Sequence, residues 1–157
     1  NWNSEGPTMP MVYDKTDFQL ESNRKWDFSK YAPDVISIAL GTNDYSDGDG
    51  GYDRKPFDKK IYTKKYIEFV KTVKAKNPKA SIILLSSPMI NGERREILQN
   101  CLTDVKNSID KSFPNDKPVT LHFFKEMQPR GCSYHPSVED HEIMAKEVIE
   151  VFVGLLK

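Results

Sequence analysis

The sequence predicts an α/β domain built on a parallel β-sheet. Two observations carry that expectation: three short, nearly continuous apolar runs stand at intervals, and each is followed by a segment of helical periodicity. The first run is 34–40 (DVISIAL), the second 80–86 (ASIILLS) and the third 118–124 (PVTLHFF). Strands covered on both faces read this way, because neither face meets water. Between the first two runs, 57–77 places Tyr66, Phe69, Val70 and Val73 at helical spacing, with Pro78 as a stop. A second helix is expected over about 93–113, where Leu98, Cys101, Leu102, Val105 and Ile109 form one stripe. The last begins near Ser137, with Asp140 three residues on as a capping partner. Its apolar face is Met144, Val148, Val151, Phe152 and Leu155. The order β-α-β-α-β-α then implies right-handed crossovers. Residues 1–33 show no periodicity, and Trp2, Tyr13, Phe18 and Trp26 are scattered anchors in a stretch rich in Asn, Asp, Ser and Pro. So long an irregular lead-in argues against a complete domain.

Composition narrows the function classes. The chain has 157 residues, and 23 Lys+Arg balance 23 Asp+Glu, for a formal net charge of zero. That length suffices for a real core, and the 38% hydrophobic and 29% charged fractions argue against wholesale disorder. Zero net charge argues against bulk nucleic-acid binding, which needs an excess of Lys and Arg to neutralise phosphates. No apolar run approaches the ~20 residues of a membrane span, so no membrane partner is expected. Two cysteines are too few for a disulfide framework and lack zinc-ligand spacing, although one pair fits a single disulfide in a secreted enzyme. Residues 53–79 carry ten Lys/Arg and three Asp/Glu. This excess reads as a patch for an acidic polymer or, more simply, as the solvated face of a helix balanced by acidic residues elsewhere. The chain begins at Asn1 rather than Met, which reads as a processed product or a fragment.

In open α/β sheets, ligands bind beyond the carboxyl ends of the strands. After the first strand comes Gly41-Thr42-Asn43-Asp44-Tyr45-Ser46, and after the third comes Gly131-Cys132-Ser133-Tyr134-His135-Pro136. A carboxamide donor, Asn43, and an imidazole, His135, are therefore expected on the same rim. A histidine there can act as a general base, and an Asn N–H can stabilise an oxyanion. Taken singly, Asn43 is also an ordinary turn residue and His135 an ordinary loop histidine.

Together these stretches resemble a family. Gly41-Thr42-Asn43-Asp44 resembles the G-x-N-D block of the SGNH (GDSL-type) hydrolases. Residues 131–137 (GCSYHPS), followed by His141, Met144 and Ala145, resemble the last block of that superfamily in the G-C-x-aromatic-H-P form of carbohydrate esterase family 2, the acetylxylan esterase type. Residues 10–15 (PMVYDK) and 26–29 (WDFS) resemble that family's approach to the G-x-N-D strand. The resemblance implies a three-layer α/β/α SGNH-hydrolase (flavodoxin-like) fold, of which this chain supplies about three parallel strands and their helices. It also implies a secreted esterase that removes acetyl groups from plant cell-wall polysaccharide, with an acetylated xylan-type polymer as substrate and no cofactor. His135 would be the general base and Asn43 an oxyanion-hole donor, with Gly41 and Asp44 structural.

Two departures from the family pattern follow. The superfamily carries its nucleophile in a G-D-S block on an earlier strand, followed by a block with an oxyanion-hole glycine, and this chain contains no Gly-Asp-Ser. Residues 1–157 are thus expected to be the C-terminal portion of one catalytic domain, with a companion polypeptide carrying the N-terminal half. Alone, the first strand would keep an unpaired apolar edge, so aggregation or unstable folding is expected. Ser86 and Ser87 end the second strand, but Pro88 disfavours a nucleophile elbow and no G-x-S-x-G surrounds them. Secondly, the acidic residue that usually stands two or three positions before the histidine is replaced by Ser133 and Cys132. A backbone carbonyl of this loop can orient the imidazole instead, giving a Ser-His dyad. Glu139 and Asp140 belong to a helix cap.

Tyr45 and Tyr134 adjoin the motif residues and can stack on a sugar ring or simply pack. His122 and His141 read as structural. Residues 47–53 (DGDGGYD) hint at a calcium loop but lack the ligand set of an EF-hand, so no metal site is expected. A Cys101–Cys132 disulfide is available to pin the His135 loop. The competing function is a non-catalytic carbohydrate-binding or interaction module derived from such an esterase. An unrelated phosphate or cofactor binder is disfavoured, since no glycine-rich loop joins a strand to a helix N-terminus.

Overall fold

A computed structural model describes residues 7–45 and 56–157. Within them, β1 (Val35–Ile38), β2 (Ser81–Leu85) and β3 (Thr120–His122) form one sheet in the order β1-β2-β3. Both pairings are parallel, with Ile36 opposite Ile82 and Leu84 opposite Leu121. The connections are α3 (Lys59–Lys76) between β1 and β2 and α4 (Gly92–Ser112) between β2 and β3. α1 (Met9–Val12) and α2 (Thr42–Tyr45) are single turns, and α5 (Val138–Leu155) closes the chain. All three expected strands and all three long helices are present. Residues 47–53, Ser46 and Trp2 lie outside the described residues.

Each helix begins and ends for a local reason. The Asp58 carboxylate accepts from the N–H groups of Lys60 and Ile61, capping α3. Asn77 ends it, and Pro78 cannot continue it. α5 opens on a capping box in which Ser137 Oγ accepts from Asp140 N–H and the Asp140 carboxylate accepts from Ser137 N–H.

The core is the seam between one sheet face and the α3–α4 pair. Val70 and Val73 of α3 and Leu98, Leu102, Val105 and Ile109 of α4 are fully buried against Ile38, Ile82 and Leu84. Strand alternation turns Ser37, Ile83, Leu85, Thr120 and His122 to the opposite face. There α5 packs, with Glu147 set against His122 and Met144 facing Leu85 across a cavity. Layers therefore lie on both sides of the sheet, as an SGNH-type α/β fold requires.

One expectation needs correcting. Cover on both faces holds for β2, where residues 81–84 are buried, but not for β1, where Ser37 is exposed, as is Ala39 just beyond the strand. β1 is the sheet edge, and α5 lies towards β3, so nothing among the described residues shields that face of β1. The lead-in is pinned to α3, where Lys76 Nζ lies over the Phe28 ring. Tyr13 packs edge-on against Phe69, and its Oη accepts from Asn77 Nδ2 at 2.9 Å.

The lysine-rich stretch is partly used in packing. Lys74 is buried, pairs with Asp116 at 3.0 Å and lies over the Phe113 ring, while Lys65 pairs with Glu68. Among the described residues, no helix is long and apolar enough to cross a membrane.

Since Leu102 is wholly buried in the seam, Leu102→Ala should cost about 2–5 kcal/mol. Chemical denaturation measures it, and an unshifted midpoint would contradict the packing described.

Candidate active site

The first site segment follows β1 immediately. Gly41 has φ +124°, and a Cβ there would stand 2.7 Å from Tyr62 Oη and 2.8 Å from Leu98 Cδ1. Glycine is needed on both counts, conformation and space. Tyr62 Oη donates to the Leu40 carbonyl at 3.0 Å, and burial raises its phenol far above the ordinary value, which keeps it a donor. Arg94 of α4 donates to the Tyr45 carbonyl at 3.2 Å. The turn of α2 is thus tied at both ends, and it leaves Asn43 exposed. Burial raises the Asp44 carboxyl, while its N–H donates to Gly41 O at 3.0 Å. Tyr45 stacks on Phe57 with ring centroids 4.0 Å apart, and burial pushes its phenol up to about 12. One face of its ring is thereby taken by protein.

The second segment precedes α5. Residues 132–134 make one 3₁₀ turn, in which Ser133 and Tyr134 both adopt left-handed backbone, φ 52° and 60°. Two bonds close the turn: Gly131 N–H donates to His135 O at 2.8 Å, and His135 N–H donates to Cys132 O at 3.1 Å. A Cβ on Gly131 would come within 2.6 Å of His135 O, so glycine is required here too. His135 Nδ1 lies 2.9 Å from the Ser133 carbonyl. A carbonyl only accepts, so Nδ1 carries the proton and the Nε2 lone pair is left free. This is the backbone orientation considered from sequence. Both His135 and Tyr134 are exposed, the latter to 86%.

A carboxylate does stand behind this loop, though not beside the imidazole. Asp140 is buried, and its oxygens accept from the N–H groups of Arg130 and Ser137 and from the Arg130 guanidinium. Those bonds, the backbone donors first among them, hold its carboxyl well below the usual carboxylate range.

Between the two segments lies a cavity of about 280 Å³. Leu40 and Thr42 border it on one side, Pro136 on the other, and His141 and Met144 of α5 also line it. The sequence neighbours of Asn43 and of His135, Thr42 and Pro136, face this one space, whereas Asn43 and His135 are not among its lining residues. Ser86 and Ser87 line the same cavity. Ser86 is buried with Oγ unpartnered, and Ser87 Oγ accepts from Met89 N–H at 3.2 Å in a local turn. His122 is packed edge-on against Phe124, with Nε2 3.6 Å from Glu147.

The disulfide considered from sequence does not form. Cys101 is buried on α4, in the groove facing α3, whereas Cys132 is exposed in the His135 loop, and both thiols are free. Helical packing turns Cys101 towards Thr63 and Ile67 of α3 rather than towards that loop. Sequence reading missed Tyr62, Arg94 and Arg130. None sits in a motif, because the group each one bonds, Leu40, Tyr45 or Asp140, is brought to it only by folding. Among the described residues, no group of three or more His, Cys, Asp and Glu is placed to hold a metal ion.

Residues 1–148 match the family model of the GDSL-like lipase/acylhydrolases. The chain is 29% identical to the cellulase/esterase CelE of Acetivibrio thermocellus over 94% of its own length and 18% of that protein. It is 31% identical to an acetylxylan esterase / glucomannan deacetylase of Cellvibrio japonicus, covering 83% of this chain and 34% of the relative. A family two carbohydrate esterase of Clostridium thermocellum, solved in complex with cellohexaose, superposes with a TM-score of 0.77 at 29% identity, over 98% of this chain and 46% of that one. The chain spans less than half the length of each.

Gly41→Ala should lower stability and displace the Asn43 turn, read by thermal melting and by the amide shifts of residues 41–45. Unchanged shifts would refute the steric argument. Because the folded Asp140 carboxyl is depressed, its contribution to stability is complete above the ordinary Asp value of about 4. It is lost as pH falls through that value towards the depressed one. Asp140→Asn should therefore flatten the acid limb of the stability–pH curve; a limb of unchanged slope would contradict this.

Proposed function

The chain belongs to the GDSL-like lipase/acylhydrolase family, and on that premise we propose that it is part of a secreted carbohydrate O-acetyl esterase that deacetylates plant cell-wall polysaccharide of the xylan type. The observation that carries the reading is the His135 loop, where the Ser133 carbonyl 2.9 Å from Nδ1 leaves Nε2 as the basic atom. The relatives named as acetylxylan esterases and glucomannan deacetylases support the substrate class.

In this reading a serine hydroxyl attacks the acetyl carbonyl carbon, and its proton passes to His135 Nε2. The tetrahedral oxyanion is held in part by the Asn43 side-chain N–H. Collapse breaks the bond to the sugar oxygen, which leaves with the proton from His135. Water then repeats the sequence on the acetyl-serine, releasing acetate. A carbonyl fixes the imidazole tautomer as a carboxylate does, but stabilises imidazolium less. Tyr134, almost fully exposed beside His135, offers its ring to the sugar. Tyr45 contributes less as a platform, since Phe57 covers one face.

The serine is proposed to lie on polypeptide outside these 157 residues, carrying the N-terminal part of the same domain. Ser86 is buried with no base within hydrogen-bond reach of its Oγ, and Ser87 is engaged in its own turn. The exposed edge strand β1 supports a companion segment. So does α5, where the exposed Val138, Ile149 and Val153 and the C-cap Leu156 recur at helical spacing.

Hydrolysis of a chromogenic acetate ester by the complete assembly should be abolished by His135→Ala and should fall about 10²–10³-fold in kcat with Asn43→Ala. An assembly that binds oligosaccharide but hydrolyses nothing would replace the esterase by a non-catalytic carbohydrate-binding module.

A further inference from the structure

We propose that Asp140 and Arg130 are positioning residues for His135: one buried carboxylate ties together the two ends of the loop that carries the imidazole, and so keeps the Ser133 carbonyl aimed at Nδ1. The proposal rests on the reading of His135 as the general base.

Arg130 immediately precedes the loop 131–136 and Ser137 immediately follows it. Asp140 Oδ2 accepts from the backbone N–H of Arg130 at 2.8 Å and of Ser137 at 2.9 Å. Its Oδ1 accepts from Arg130 Nε at 2.7 Å and Nη2 at 2.6 Å. Capping α5 needs only the Ser137 bonds. The bonds to Arg130, ten residues upstream, do nothing for the helix; they close the neck of the loop. The carboxylate is 2% exposed, which makes each bond a firm constraint, because every lone pair kept from water has to find a donor in the protein.

What the neck encloses explains why it has to be tight. Ser133 and Tyr134 are consecutive non-glycine residues at positive φ, a region that L side chains rarely adopt. Such backbone persists only where its surroundings over-determine it. Inside the loop, Gly131 and His135 supply two cross-bonds, and the Asp140 clasp supplies the rest. Relaxation of Ser133 to negative φ would rotate its carbonyl away from Nδ1. A carboxylate on a side chain can follow a moving imidazole; a carbonyl is only as well placed as the backbone that holds it. With Cys132 and Ser133 at the positions where an acidic partner is usual, the acidic residue of this site therefore acts at one remove, on the loop rather than on the ring.

Nitrogen-15 NMR of the imidazoles in the full chain, above the ordinary imidazole titration range, reads the tautomer directly. Wild-type His135 should be the Nδ1–H form. Asp140→Asn and Arg130→Ala should each shift it towards the Nε2–H form. In the assembly that carries the serine, each should lower kcat by up to about 10²-fold with little change in KM. Arg130 has a side chain 58% exposed, so its truncation keeps the test available if Asp140→Asn does not fold. Variants that melt earlier but keep the wild-type tautomer and kcat would reduce the clasp to a structural cap and overturn the proposal. A tautomer shift in a protein without esterase activity would instead uphold the clasp and sink the proposed function.

Discussion

The seam at which Val70 and Val73 of α3 and Leu98, Leu102 and Val105 of α4 meet Ile82 and Leu84 of β2 holds the sheet to its helices and, through them, the turn that carries Asn43. It is a close-packed apolar contact, so its geometry yields little to local changes. Once it forms, Tyr62 and Tyr66 of α3 reach the carbonyls at the end of β1, and Leu98 of α4 crowds Gly41. The turn that carries Asn43 is therefore an outgrowth of core packing. Its polar side chain is exposed, but the backbone that carries it is held from behind.

The His135 loop is built on a different principle. It lies beyond the sheet, on the side of α5, where no apolar seam reaches it. Hydrogen bonds and two glycine-dependent close approaches do the work that packing does elsewhere. This contrast has a physical logic. The loop is exposed rather than buried in apolar side chains, and an exposed loop keeps a strained backbone only if polar bonds over-determine it.

The exposed surfaces fit the same division. The α3–α4 face of the sheet is sealed, whereas the other face leaves Ser37 of β1 and Ala39 just beyond it open, and α5 carries exposed apolar residues of its own. An edge strand with one open face is a pairing surface that proteins seldom leave uncovered. The relatives, each more than twice as long as this chain, have the additional polypeptide with which such a surface can be covered.

Much of this was legible in the residues. Continuous apolar runs specified strands, and for β2 the reason is burial on both sides, which leaves no polar alternation. The 3.6-residue stripes specified α3, α4 and α5, because a helix buries one face. Pro78 and the Ser137–Asp140 pair marked helix ends, because caps are local chemistry. The G-T-N-D and G-C-x-aromatic-H-P stretches pointed to Asn43 and His135 through motif and order alone. What required the tertiary structure was every relation between groups distant in sequence. The exposure of one face of β1 depends on where α5 lies, and the failure of Cys101 to meet Cys132 depends on which way α4 turns its stripe. The hold of Tyr62 on Leu40, 22 residues away, and of Asp140 on Arg130, ten residues away, leaves no periodic or motif trace, because hydrogen-bond partners are chosen by the fold and not by spacing. Local propensity thus determined the elements, and motif and order singled out Asn43 and His135; only the fold decided what holds them in place.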